Sequence, residues 1–136
     1  MIKRGDVGVE KGVRIINLTP HQLNIYDLSG EVVILSIPPP PEGTPIPKVS
    51  TTSKIVGAVK IDGMEIPVRK VTYGDVENLP EEKEGTIYIV STLVMLALKD
   101  KGVKRGNLLS PDTNADSVVR DRDGRVFGVK YLQTVC

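Results

Sequence analysis

The sequence predicts a single compact α+β domain over residues 1–136, mostly antiparallel β-sheet built from hairpins and a meander, with one principal buried helix at about 92–101. Three observations carry that reading. A chain of 136 residues is the size of one domain and too short for two independent cores. Thirteen Gly and ten Pro punctuate it too often for long helices. With no Trp and one Phe, the core must rest on aliphatic side chains, above all the β-branched ones that suit strands.

Residues 1–12, rich in Gly and charge, read as a loose N-terminal segment or an edge ribbon. Val13 to Asn17 is the first strand, broken by Thr19-Pro20-His21 because Pro fixes φ and biases its predecessor toward extended geometry. Gln22 to Tyr26 alternates polar and apolar residues, and Glu31 to Ile37 answers it across Asp27-Leu28-Ser29-Gly30 as a meander. The stretch 38–48 holds six prolines and reads as a rigid connection running as polyproline II. Ile55 to Ile61 and Met64 to Val71 form a hairpin about Asp62-Gly63, a pair suited to a two-residue turn with both φ angles positive, and Pro67 marks the second strand as an edge.

After the solvated run Glu81-Glu82-Lys83-Glu84, Thr86 to Val90 reads as a central strand. Ser91 and Thr92 can cap a helix that ends at Gly102, and its first two turns are apolar on every side, so it should be covered all round. Asn107-Leu108-Leu109 and the Ser110-Pro111 break lead into a final hairpin from Asp116 to Gln133, turning at Asp123-Gly124.

The net charge of +1 sets up no overall field for nucleic acid or an anionic membrane, so either partner would need a local patch. The longest apolar run, Leu93 to Leu98, is far short of the roughly 20 residues that span a bilayer, and the polar start Met1-Ile2-Lys3-Arg4-Gly5-Asp6 lacks a secretory apolar stretch. A cytoplasmic protein is expected. Cys136 is the single cysteine, which excludes an internal disulfide and leaves a tail thiol.

Three segments, Asn17-Leu18-Thr19-Pro20-His21, Gly85-Thr86-Ile87-Tyr88-Ile89-Val90-Ser91 and Pro111-Asp112-Thr113 with Asp116-Ser117-Val118-Val119-Arg120-Asp121, carry a resemblance. In this order and spacing the chain, from about Val13 to Gln133, resembles a family of small proteins of bacteriophages, archaeal viruses and phage-like prokaryotic loci. The resemblance implies a viral or mobile-element setting, in the host cytoplasm, and transfers no catalytic residue. Proline together with Lys, Val and Ile also suits a thermophilic source.

His21 is the sole histidine, so paired-His metal sites and His dyads are excluded; its expected work is to hydrogen-bond a neighbour and fix the turn. Ser91 and Thr92 stand at the positive end of a helix, where phosphate or carboxylate is favoured, but no Gly-rich loop makes room for one and capping alone explains them. Asp112, Asn114, Asp116 and Asp123 nearly reproduce a calcium loop; Ser117 replaces the turn glycine, Asp123 is shorter than the usual Glu, and Pro111 bars an incoming helix. The basic stretch Lys99 to Arg105, and Arg120, Arg122, Arg125 and Lys130, alternate with Asp100, Asp121 and Asp123 and have no interleaved aromatic residue, which describes a solvated surface.

Two functions follow from these residues. The first is a non-catalytic binding or assembly module acting on a protein partner or on itself, without cofactor, metal or membrane, and favoured by the missing catalytic constellation. The alternative is a small enzyme or sensor that binds a phosphorylated ligand at Ser91 and Thr92, with His21, Lys104, Arg105, Asp112 or Asp116 as polar partners. That alternative needs some of those partners within about 10 Å of the two hydroxyls. Nucleic acid ranks last.

Overall fold

In the computed structural model, which describes residues 13–134, the elements in chain order are β1 (Arg14–Asn17), β2 (Leu23–Tyr26), β3 (Val33–Ile37), β4 (Lys48–Ile61), β5 (Met64–Glu77), β6 (Thr86–Ile89), α1 (Thr92–Asp100), β7 (Leu108–Pro111), β8 (Val118–Arg120), β9 (Val126–Val129) and β10 (Leu132–Gln133). They form a single α+β domain dominated by sheet, with one helix among the described residues. The expected N-terminal segment 1–12 and the Cys136 tail lie outside the described residues.

The first sheet has the order β1-β6-β7-β10 and the second β3-β2-β9-β8. β6 is the apolar run Thr86-Ile87-Tyr88-Ile89, buried along its whole length, and it pairs in parallel with β1 on one side and β7 on the other. Two-faced burial explains why Ile87, Tyr88 and Ile89 are apolar in succession rather than at alternate positions. Successive side chains point to opposite faces. Tyr88 and Val90 pack with Leu18, Leu108 and the α1 residues Val94, Met95 and Leu98. Ile89 faces the other way, onto Leu23, Ile25, Ile37 and Val129 of the second sheet. The body is thus helix, sheet and sheet in three layers around β6.

Two expectations are corrected here. α1 is not covered all round: Val94, Met95, Ala97 and Leu98 are buried, whereas Leu93 and Leu96 are exposed. β7 and the base of the β4-β5 hairpin pack on the buried side of the helix, which leaves Leu93 and Leu96, two of its six apolar residues, on the side turned to solvent. The expected break at Ser110-Pro111 lies inside a strand, since β7 pairs with β6 through Tyr88 and Ile89 and with β10 through Pro111 and Ser110. The connection β6-α1-β7 is accordingly a parallel crossover; β1-β6 and β2-β9 are parallel pairs too, while β2-β3, β4-β5, β8-β9 and β7-β10 are antiparallel.

The third sheet is β4-β5 alone. Each strand has 14 residues, longer than the expected hairpin, and at about 3.4 Å per residue the pair reaches about 45 Å. Every residue from 50 to 72 is exposed. Only the base is held: Val49, Val76 and Leu79 pack against the helix-side core, Lys101 at the end of α1 reaches Asp75 at 3.5 Å, and Asn78 donates from Nδ2 to the Ile46 carbonyl at 3.3 Å. The proline-rich segment delivers the chain from β3 to this base without forming a strand, and the hairpin projects from the body as an arm.

Candidate functional site

The carboxyl ends of the parallel strands β1, β6 and β7 lie side by side, as the bonds from the Leu18 N–H to the Ile89 carbonyl and from the Val90 N–H to the Leu109 carbonyl show. In open parallel sheets this edge is where ligands gather, and it brings the 17–21 turn, Ser91-Thr92 and Asp112 to one end of the molecule. Each is already engaged. Ser91, extended at φ −67°, accepts the Val94 N–H on its hydroxyl at 3.3 Å, as an N-cap does. Gln133 Nε2 donates to the Thr92 hydroxyl at 3.5 Å and to the Pro111 carbonyl at 3.3 Å, which lays an amide across the junction. Asp112 Oδ1 accepts the Asn114 N–H at 2.9 Å and holds its own turn.

His21 is exposed, and its backbone carbonyl rather than its imidazole closes the turn. The residue that fixes this corner is Asn17, which donates from Nδ2 to the carbonyls of His21 at 2.8 Å and Ile37 at 3.2 Å. Its Oδ1 accepts the N–H and the hydroxyl of Thr19 at 2.9 and 2.7 Å.

Lys104 and Arg105 follow the helix and precede β7, so they sit at the amino end of the parallel strands. A nine-residue helix spans about 13 Å, which separates them from Ser91 and Thr92 by more than a shared contact allows. Arg105 instead donates from Nη1 to the Pro80 carbonyl at 2.8 Å and from Nε to Asn107 Oδ1 at 3.2 Å, tying the 78–84 connection down. A cavity of about 350 Å³ at this edge is lined by Val13, Glu82, Lys83, Glu84, Gly85 and Asn107 among others. Its acidic rim is unsuited to phosphate.

The calcium-loop residues are dispersed into turns. Asn114 offers its carbonyl to the N–H groups of Ser117 and Val118, Asp116 is exposed, and Asp123 sits in the β8-β9 turn facing Arg125 at 3.9 Å. Among the described residues no group of three or more His, Cys, Asp or Glu side chains is placed to hold a metal ion. Nor is any helix among them long and apolar enough to cross a membrane.

The arm holds what sequence patterning missed. Asp62 and Gly63 have φ of 49° and 78°, the two-residue turn expected of them. Ile61–Met64 is then the first hydrogen-bonded pair, and cross-strand partners share a face while alternate pairs switch faces. Ile61–Met64, Val59–Ile66 and Gly57–Val68 therefore fall on one face, which is apolar at every position. Its five large side chains are between 40% (Val68) and 63% (Met64) exposed. The opposite face carries Lys60–Glu65 and Ala58–Pro67. Pro67 sits in a non-hydrogen-bonded pair, so the N–H it lacks would have pointed outward, and the outer edge of β5 is blunted there. Just below the apolar face, Lys54 and Lys70 stand directly opposite one another. Comparison with family models, curated proteins and solved structures finds no match to the chain.

Proposed function

We propose that this protein is a non-catalytic binding and assembly module, of a viral or mobile-element setting, that works through protein–protein contacts made by the β4-β5 arm. The observation that supports it is the apolar distal face. An isolated two-stranded hairpin is at best marginal in water, yet this one extends far beyond its anchored base and gathers aliphatic side chains on one face of its distal end, with Ile55 and Val71 exposed on the other face lower down. Such a patch suits a surface that is covered in use. The alternative, a phosphorylated ligand at Ser91 and Thr92, has less support: its proposed cations stand at the other end of the strands, and Gln133 lies across the junction.

The test compares the full chain with a shortened one in which residues 53–61 and 64–71 are removed, so that Thr52-Asp62-Gly63-Thr72 closes a smaller hairpin. Light scattering is expected to show the full chain associating and the shortened chain at monomer mass, with the thermal midpoint of the body retained. A monomeric full chain that inorganic phosphate or a nucleotide stabilises, by about 2.7 kcal/mol at 100 times Kd, with Thr92→Val abolishing the gain, would replace this reading by the ligand-binding one.

A further inference from the structure

Resting on that reading, we propose that the occupant of the arm's apolar face is the same face of a second copy, the two arms stacked antiparallel about a two-fold axis near Val59 and Ile66. Two observations select this occupant. The first is area. Ile61, Val59, Met64, Ile66 and Val68 together expose on the order of 500 Å², near the upper end for one patch on a monomer. Two such faces brought together remove about 1,000 Å², the lower bound for a specific interface, and nearly all of it is apolar, whereas a polar counter-surface would bury the same area with half of it desolvated at a cost.

The second is charge. Lys54 and Lys70 are cross-strand partners on the apolar face's own side, and like charges placed directly opposite repel. Centring the overlap on Val59 and Ile66 brings the turn of one arm to within about one residue, ~3.4 Å along the strand, of the Lys54–Lys70 pair of the other, inside the reach of a lysine side chain. Asp62 occupies that turn, at the end of the apolar face remote from the lysines. Each copy then supplies an acidic tip to the other's basic pair, twice by symmetry. Parallel stacking would instead set lysines over lysines and tip over tip. β5 is closed to edge addition at Pro67, so face packing rather than strand addition is the mode open to that side.

The full-length chain, carrying Cys136→Ser so that engineered thiols are the only ones, tests this by light scattering and by cross-linking with a short bis-maleimide that spans about 8 Å, as faces stacked about 10 Å apart require. The parent is expected at dimer mass. Met64→Asp, at an exposed position, should restore the monomer while leaving the circular dichroism and thermal midpoint of the body as they were. Asp62→Asn keeps a turn that Asn-Gly favours and should raise Kd by several-fold. Val59→Cys should cross-link, being stacked on its own copy; Met64→Cys should not, because the two copies of residue 64 are about 13 Å apart along the strands. A parent that stays monomeric at every concentration overturns the inference, as does association indifferent to Met64→Asp. So does the reverse cross-linking pattern, or a monomer that binds phosphatidylglycerol vesicles through Met64. If association is lost on shortening the arm but the cross-links disagree, the antiparallel pairing falls and the assembly reading stands. If the shortened chain associates like its parent, both fall.

Discussion

Asn17 is 2% exposed and uses both ends of its amide, two carbonyls on Nδ2 and the Thr19 donors on Oδ1. Asn17→Ala orphans those buried groups and should cost about 2–3 kcal/mol in urea unfolding. Ser110 is the opposite case. Its hydroxyl is fully buried with no hydrogen-bond partner among the described residues. Ser110→Ala should therefore be neutral or stabilising by up to about 1 kcal/mol in the same assay. Asp27 is held below the ordinary aspartate range by the Ser29 hydroxyl and by the backbone N–H groups of the turn, partly opposed by desolvation. A depressed carboxyl contributes stability above its unfolded-state value and loses it as pH falls through the folded one. Carboxyl titration by NMR should show the Asp27 midpoint rising in Ser29→Ala. In the Asn17 to His21 corner the sequence draws attention to the imidazole because it carries chemistry, while the structure uses the amide. The readable signal was an Asn two residues before a Thr ahead of Pro, a pattern in which the side chain bonds its own backbone.

At the level of elements, Asp62-Gly63 and the Ser91 cap were legible because turn and cap chemistry is local. The reach of the arm was not. In Lys48 to Thr52 and Thr72 to Glu77 only Val49, Tyr73, Gly74 and Val76 are even half-buried, too few to impose a regular alternation that would mark them as strand. β7 was hidden by Pro111, which normally ends a strand and here pairs with Leu132 next to the sheet's edge. The candidate phosphate partners are divided for a topological reason: Ser91 and Lys104 are close in sequence, but the helix between them carries one to each end of the sheet. Packing of the second sheet yields a further prediction. A Cβ on Gly128 would run into the Asn24 carbonyl and the Tyr26 ring, whereas one on Gly57 meets open space. Gly128→Ala should cost about 2 kcal/mol or more in chemical unfolding, and Gly57→Ala should change the body little.

In the whole molecule, stability is distributed unevenly between a three-layer body and an arm with no core of its own. Amide hydrogen exchange should accordingly be slowest in β6 and fastest in the distal arm of a dilute sample, and the arm should slow selectively as concentration rises; uniform exchange across both would contradict the division. The base of the arm has one more consequence, and it is kinetic. β1 must find β6 across everything from Leu18 to Gly85, a distant pairing of the sort that slows folding. The arm can zip outward from Asp62-Gly63 without the rest of the chain, and once it does, Lys48 lies beside Glu77 and the intervening residues no longer count toward the loop that β1 and β6 must close. The long projection therefore acts during folding as a shortcut between the two halves of the central sheet.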